Sequence, residues 1–183
     1  MELHGKSKSN INVKTKDLVT SALLIAVVFV STYFVHIPSP FSLNSGGLIH
    51  LGNVMFFMSA IVFGKKQGAI AGAFGMGLFD VLTGYAIWAP FTFIIRGVMG
   101  FIISHFANAQ NRKGNNWKWN IVGLVIASII LVSGYFVANL ILFQNIFGAI
   151  SGIPGDLMQI ALGFILGVPL TLAVKKTKVF DNY

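Results

Sequence analysis

Six apolar stretches run along the chain, separated by short polar segments or segments rich in glycine and proline. Each is close to the length of ~20 residues that an α-helix needs to cross a bilayer. They cover Asp17–His36, Leu48–Phe63, Gln67–Gly84, Trp88–Ala107, Asn120–Phe143 and Gly155–Val174. The pattern predicts an all-α membrane protein, a bundle of six transmembrane helices at 17–174 between short tails at 1–16 and 175–183.

The composition supports a membrane protein and excludes a separate soluble domain and any chemistry that depends on cysteine. Hydrophobic residues make up 55% of the 183 residues and charged residues only 10%, and the mean hydropathy is +0.79. Six spans with short loops nearly exhaust such a chain, so no room remains for a separate soluble domain. Because the chain contains no cysteine, disulfides, thiolate metal sites and a cysteine nucleophile are excluded.

The basic residues predict the orientation of the bundle. Twelve of the thirteen Lys and Arg residues lie in the two tails and beside the second and fourth loops. They are Lys6, Lys8, Lys14, Lys16, Lys65, Lys66, Arg112, Lys113, Lys118, Lys175, Lys176 and Lys178. Since cytoplasmic loops collect positive charge, both chain ends are expected in the cytoplasm. The net charge of +8 therefore reflects the orientation of the protein in the membrane and an attraction to anionic lipid. Nucleic-acid binding is not indicated, because proteins that bind nucleic acid gather their basic residues on a soluble surface.

One basic residue, Arg96, is predicted deep inside a span. Ionisable groups at membrane depth are costly and require a partner, a cavity or a function. Asp80 lies near the outer end of the preceding span, so the two side chains either form a buried ion pair or bind a ligand together.

The other intramembrane polar residues also lie in the predicted outer half. Trp88, Thr92 and Arg96 recur every four residues on one helix face, and two further pairs, Tyr135 with Asn139 and Asp156 with Gln159, lie on the last two spans. His50 lies at the outer end of the second span. The cytoplasmic half lacks such residues, so we predict one blind pocket open outward rather than a channel, which polar residues line throughout. Single, scattered His residues make a metal site improbable.

Two small residues stand out near the cytoplasmic end of the first span. Ala22 and Ala26 are four apart, a spacing that brings helices close together in membranes. Packing inside the bundle and docking against another membrane protein are both compatible with this pair.

The order of these features resembles the substrate-binding S components of energy-coupling factor (ECF) vitamin transporters. The resemblance covers Asp17 to Val174 and is most pronounced from His50 to Ile102, where the glycine-rich stretch GAIAGAFGMGLFD ends at Asp80 and is followed by Gly84, Tyr85 and Pro90. This stretch is similar to the riboflavin and hydroxymethylpyrimidine branch. The resemblance implies a multi-pass protein of a prokaryotic plasma membrane that captures a vitamin from outside the cell.

The resemblance also implies partners and site residues. A transmembrane coupling protein and two ABC ATPases, which bind ATP and Mg²⁺, would drive uptake, with Ala22 and Ala26 contacting the coupling protein. The chain itself has no phosphate-binding loop and is expected to be neither an enzyme nor a cofactor-binding protein. Membrane depth and the resemblance together predict these substrate-binding residues: Phe41, Asn44, His50, Asp80, Tyr85, Trp88, Thr92, Arg96, Tyr135, Asn139, Asp156 and Gln159.

The expected substrate is a small, flat, polar heteroaromatic compound, such as hydroxymethylpyrimidine or a pyridoxine-like molecule. Riboflavin or another B vitamin is the alternative within the family. An alternative of another class is a stand-alone secondary carrier or channel, although the sequence shows no clear inverted repeat or broken helix. An intramembrane enzyme would need a paired nucleophile and base, which the sequence does not offer.

Overall fold

The fold is helical, with a short β-ribbon at one end. The computed structural model describes residues 3–42 and 48–180, with side chains from residue 14 onward. The elements in chain order are α1 (Leu3–Phe34), β1 (His36–Pro38), β2 (Leu48–His50), α2 (Gly52–Leu82), α3 (Ala89–Asn108), a 3₁₀ turn (Ala109–Asn111), α4 (Trp117–Phe143), α5 (Ile146–Leu162), a π-helical turn (Gly163–Gly167) and α6 (Val168–Lys176).

Within the described residues, five helical segments are long and apolar enough to cross a membrane. They are Lys14–Phe34, Gly52–Leu82, Ala89–Asn111, Trp117–Phe143 and Ile146–Lys176. The helical membrane fold predicted from hydropathy is thus confirmed. In α1, the helix continues through most of the polar segment that the sequence analysis set apart as a tail.

The segment Gly52–Leu82 reverses direction at Gly64. This glycine has φ 84° and ψ −179°, a conformation that side-chain-bearing residues rarely adopt. A Cβ added to Gly68 would lie 2.9 Å from Cα of Ala60, whereas residues eight apart in an unbroken helix are separated by about 12 Å. The two halves of α2 therefore pack side by side, and the predicted turn at residues 64–66 is present.

The last helical run begins earlier than predicted. The sequence analysis placed a loop at Gly148–Gly155, but α5 already starts at Ile146. The side chain of Asn145 caps it by accepting hydrogen bonds from the backbone N–H of Phe147 at 2.9 Å and of Gly148 at 3.3 Å. Glycine and proline break helices less in membranes than in water, because the surrounding helices re-satisfy the backbone.

The first loop differs from the prediction as well. The second span begins at Gly52 instead of Leu48, because residues 48–50 form the strand β2. This strand pairs antiparallel with β1, with Ile37 opposite Ile49. The ribbon was missed because each strand has only three residues, too few for an alternating pattern to be recognised. It covers one end of the bundle, beside α5.

Close contact between helices holds the core together. A Cβ on Gly100 of α3 would lie 2.5 Å from the carbonyl carbon of Gly68, so the two backbones touch directly at this point. Ser104 adds a hydrogen bond from its hydroxyl to the carbonyl oxygen of Ala60 at 2.5 Å. Large side chains fill the space around this contact, including the fully buried Phe56, Phe57, Met99 and Leu131.

Candidate functional site

A polar cavity lies under the β-ribbon, where α2, α3, α4 and α5 meet. Ten of the twelve predicted substrate-binding residues line it: His50, Asp80, Tyr85, Trp88, Thr92, Arg96, Tyr135, Asn139, Asp156 and Gln159. Leu48 and Gly152 complete the lining. The structure therefore brings together residues from five separate elements, as the common membrane depth predicted. Their role in substrate binding stays a prediction.

Arg96 organises the inner wall of this cavity. Its side chain is only 1% exposed, and its guanidinium donates to three neutral oxygens. Nη1 bonds Oδ1 of Asn53 at 2.7 Å, Nη2 bonds Oε1 of Gln159 at 3.0 Å, and Nε bonds the hydroxyl of Tyr135 at 3.3 Å. Because these acceptors lie on α2, α5 and α4, one side chain of α3 links three neighbouring helices.

Of the two alternatives for Arg96 and Asp80, the ion pair is not formed among the described residues. Lys66 and Asp17 form an ion pair at 2.9 Å, but neither residue lines this cavity. Asp80 does line the same cavity as Arg96. Both residues lie at one site, as expected, but charge alone could not show that the N–H groups of Arg96 donate to neutral oxygens.

A second set of hydrogen bonds fixes the aromatic wall. The indole Nε1 of Trp88 donates to Oδ1 of Asn139 at 3.1 Å, and the hydroxyls of Thr92 and Tyr135 are 3.0 Å apart. The ring of Trp88 lies 6.1 Å from that of Tyr85. These bonds hold flat aromatic surfaces at the cavity, where a planar ligand ring can pack against them.

The carboxyl groups of Asp80 and Asp156 face the cavity but do not accept hydrogen bonds from Arg96. Asp80 and Asp156 are both largely buried, at 8% and 7% exposed. Among the described residues, the carboxyl group of Asp156 has no hydrogen-bond partner, whereas that of Asp80 is hydrogen-bonded to Thr92. A buried carboxyl group with open hydrogen-bonding capacity is typical of a binding site, because burial without a partner is costly.

The β-ribbon is tied to the floor of the cavity through Gln159. The amide nitrogen of this side chain donates to the carbonyl oxygen of Leu48 in β2, while its amide oxygen accepts from Arg96. Asn53 donates in turn to the carbonyl oxygen of Gln159 at 3.2 Å. The ribbon, α2 and α5 are thus connected to Arg96 through one chain of hydrogen bonds.

Asn53 is a site residue that the prediction omitted. It is fully buried and accepts from Arg96. Its polarity at membrane depth was a usable signal, but nothing in a single sequence shows that it faces Arg96. Gly152 was also missed: a Cβ there would lie 3.1 Å from Nδ2 of Asn139, so its lack of a side chain lets α5 approach α4.

One predicted substrate-binding residue among those described, Phe41, is not brought to this cavity. Phe41 follows β1, is 53% exposed and does not line the cavity. Asn44 lies outside the described residues. Ala22 and Ala26 are both exposed on α1, and their role in docking stays a prediction. Among the described residues, no three His, Asp or Glu side chains come together as metal ligands do.

His50 is a neutral donor at the ribbon end of the cavity. Burial, then the positive charge of Arg96, then that of His36 lower the pKa of His50 from 6.5 to about 3. Its Nδ1 accepts from the backbone N–H of Gly52 at 3.1 Å. A neutral imidazole that accepts at Nδ1 carries its proton at Nε2, so Nε2–H is the atom that can donate to a ligand.

The cavity measures about 40 Å³. Pockets that enclose drug-sized ligands typically measure about 300–1,000 Å³, whereas 40 Å³ holds only a few water molecules. A ring compound can enter only if the ribbon or the lining side chains move apart.

Comparison with known proteins places the chain among vitamin transport components. The profile of the family described as ECF-type riboflavin transporter, S component, matches residues 12–176. A Pyrococcus woesei protein described as an uncharacterized protein in the gap 3' region is 34% identical over 149 residues, which cover 81% of this chain and 95% of that protein. The thiamine precursor transporter HmpT of Lactococcus lactis subsp. cremoris is 25% identical over 172 residues, covering 94% and 95%.

A solved structure supports the same fold. The S component of a bacterial ECF transporter superposes with a TM-score of 0.64 at 20% identity, covering 93% of this chain and 99% of that one. At this identity the match establishes the arrangement of helices only.

The buried neutral state of His50 predicts a pH dependence of stability. Unfolded His50 takes up a proton below pH 6.5, whereas folded His50 does so only near pH 3, so its contribution to stability is full above pH 6.5 and is lost as the pH falls. Between pH 7 and pH 5 we expect the contribution of His50 to the free energy of unfolding to fall by about 2 kcal/mol. The measurement is unfolding in detergent at both pH values for the wild type and for His50→Asn, which keeps an acceptor for Gly52. On going from pH 7 to pH 5, the free energy of unfolding should change about 2 kcal/mol less favourably in the wild type than in His50→Asn; an equal change in both proteins would contradict the assignment.

Proposed function

Because the chain belongs to the family of S components of ECF-type riboflavin transporters, we propose that it captures a small heteroaromatic vitamin precursor, such as hydroxymethylpyrimidine or a pyridoxine-like compound, from outside the cell. It is an integral membrane protein and a subunit for substrate uptake, and the family implies no enzymatic activity. The observation that carries the proposed substrate class is the cavity itself, in which Arg96, Asp80, Asp156 and aromatic rings face one small space.

The chemistry of the cavity suits an amino-substituted nitrogen ring. A carboxyl group can form two parallel hydrogen bonds with such a ring, one to a ring nitrogen and one from the amino group. Asp156 has the open capacity for this pairing. Trp88 and Tyr85 supply surfaces for the ring, and Nε2–H of His50 is a donor for a hydroxymethyl oxygen. Arg96 has five N–H groups, so two remain for the ligand beyond the three bonds to protein.

Cavity size favours a small ligand over riboflavin. The cavity of about 40 Å³ must widen for any ring, and it must widen far more for a tricyclic ring with a ribityl chain. The similarity to a thiamine precursor transporter also supports a one-ring compound. Riboflavin remains the second candidate, because the matching family is described by that vitamin.

The proposed membrane topology has six spans with both chain ends in the cytoplasm. The reversal at Gly64 divides Gly52–Leu82 into two antiparallel helices, which adds a sixth crossing to the five long apolar segments. Lys65 and Lys66 then lie on the same side as the basic tails, in agreement with the positive-inside distribution. The polar cavity opens to the other side, where a vitamin arrives.

Uptake is proposed to depend on partners. S components work with a transmembrane coupling protein and ATPases, and this chain contains no phosphate-binding loop of its own. We propose that one coupling protein and two ABC ATPases, with ATP and Mg²⁺ bound to the latter, supply the work. Ala22 and Ala26 form the docking face, because both are exposed and small enough for a partner helix to approach closely.

Substrate binding can be tested with purified protein and a panel of B vitamins and precursors. We expect saturable binding of hydroxymethylpyrimidine, measured by calorimetry in detergent. Asp156→Ala should weaken binding about 10- to 100-fold, because both hydrogen bonds of the carboxyl group to the ring are lost. Asp17→Ala is the matched control, since Asp17 pairs with Lys66 away from the cavity, and it should bind like the wild type.

Three outcomes would contradict the proposed substrate. Absence of binding to every compound in the panel would exclude the vitamin class. Tighter binding of riboflavin would select the second candidate. Uptake by the isolated chain in liposomes without ATP would show a stand-alone carrier instead.

Docking has its own test. Replacing Ala22 and Ala26 by Leu should prevent co-purification with the coupling protein, because two bulky side chains keep a helix from close approach. Binding of the vitamin should be unchanged. Ala161→Leu makes the same change at an exposed residue of α5 and should leave assembly intact. Normal assembly of the Ala22→Leu/Ala26→Leu protein would show that the coupling protein docks elsewhere.

A further inference from the structure

A second, apolar cavity system lies on the outside of the bundle, between α4 and the helical run of α5 and α6. Two hollows follow one another along these helices, of about 630 Å³ and 180 Å³. The lining positions recur every three or four residues from Trp117 to Phe136 on one side and from Ile153 to Leu172 on the other. At 1.5 Å per residue this crevice is about 28 Å long, nearly the hydrocarbon thickness of a bilayer.

The walls of the crevice are bulky and apolar. No glycine or alanine lines either hollow, in contrast to the contact between Gly68 and Gly100. The hydroxyls of Ser128 and Ser133 donate to carbonyl oxygens of their own helix, at 2.8 Å and 2.7 Å, so they present little polarity to the crevice. Helices that pack in membranes prefer small residues at the contact. A flexible acyl chain fits between branched and aromatic side chains better than a helix does.

Positive charge marks one end of the crevice. Lys118 follows the lining residue Trp117, and Lys176 lies four residues beyond Leu172, on the same helix face. Both lysines are exposed. This is the cytoplasmic end in the proposed topology, where anionic lipid headgroups attract Lys and Arg. The exposed ring of Trp117 suits the headgroup level of the bilayer.

An unpartnered acceptor lies at the same end. Asn120 lines the smaller hollow and is only 5% exposed. Its Nδ2 donates to the carbonyl oxygen of Gly114 at 2.8 Å, but its buried Oδ1 has no partner among the described residues. Buried polar atoms are nearly always satisfied, so this oxygen is open to a donor such as a hydroxyl or ammonium group of a bound molecule. A glycerol headgroup carries such hydroxyls.

We propose that this crevice retains one anionic phospholipid of the cytoplasmic leaflet. Its acyl chains pack along the apolar walls, its phosphate lies near Lys118 and Lys176, and a headgroup hydroxyl donates to Asn120. The site is separate from the vitamin cavity and depends on the proposed topology only for the side of the membrane.

The test is lipid retention by the full chain, measured by native mass spectrometry. The protein is purified in detergent and titrated with phosphatidylglycerol or phosphatidylcholine. We expect one phosphatidylglycerol per chain, bound at least tenfold more tightly than phosphatidylcholine. Lys118→Glu/Lys176→Glu should reduce the affinity for phosphatidylglycerol at least tenfold, and Ile129→Trp should abolish retention by filling the crevice. Ile129 is 64% exposed, so the larger ring does not disturb the core.

Two control variants keep the chemistry of each change but move it away from the crevice. Ile165→Trp alters an exposed residue of the last helical run that lines neither hollow, and Lys65→Glu reverses an exposed lysine elsewhere. Both should retain phosphatidylglycerol like the wild type. Equal retention of the two lipids, or equal losses in the control variants, would overturn the proposal. So would crosslinking of position 129 to the coupling protein in an assembled transporter, which would identify a protein helix as the occupant.

Discussion

A guanidinium group buried at membrane depth is the constraint around which the outer half of this protein is built. A cation at this depth is unfavourable unless its donors are satisfied. Arg96 meets the requirement with oxygens of Asn53, Gln159 and Tyr135, one from each neighbouring helix. Because the acceptors are neutral, no carboxylate is consumed in the process. Asp80 and Asp156 both face the cavity, and the carboxyl group of Asp156 remains available to a ligand.

This arrangement connects the cavity to its cover. Gln159 accepts a hydrogen bond from Arg96 and donates one to Leu48 of the β-ribbon. A movement of its side chain would therefore alter both hydrogen bonds. A ligand that competes for Gln159 or Arg96 would alter the attachment of the ribbon. The small size of the cavity requires such movement, and the hydrogen-bond chain shows which contacts must be rearranged. Recognition and access are thus coupled through one side chain.

Much of this could be predicted from the sequence, because membranes impose strict rules. Hydropathy predicts the helices, charge predicts the side, and the cost of buried polar groups predicts that Arg96, Asp156 and Asn139 converge. Pairing within the site could not be predicted. Arg96 and Asp80 suggested an ion pair on charge alone, yet the choice of Asn53 depends on how α2 folds back at Gly64. The ribbon at residues 36–38 and 48–50 and the start of α5 at Ile146 were missed, since short strands and glycine-containing helix ends carry weak local signals.

Arg96 is a structural link between helices as well as a proposed ligand contact. The direct measurement of this structural role is the free energy of unfolding of Arg96→Met in detergent, compared with the wild type. We expect a loss of about 3 kcal/mol or more, because three acceptors at membrane depth lose a charged donor together. An unfolding free energy within about 0.5 kcal/mol of the wild type would contradict this role, and would show that the helices hold the cavity without Arg96.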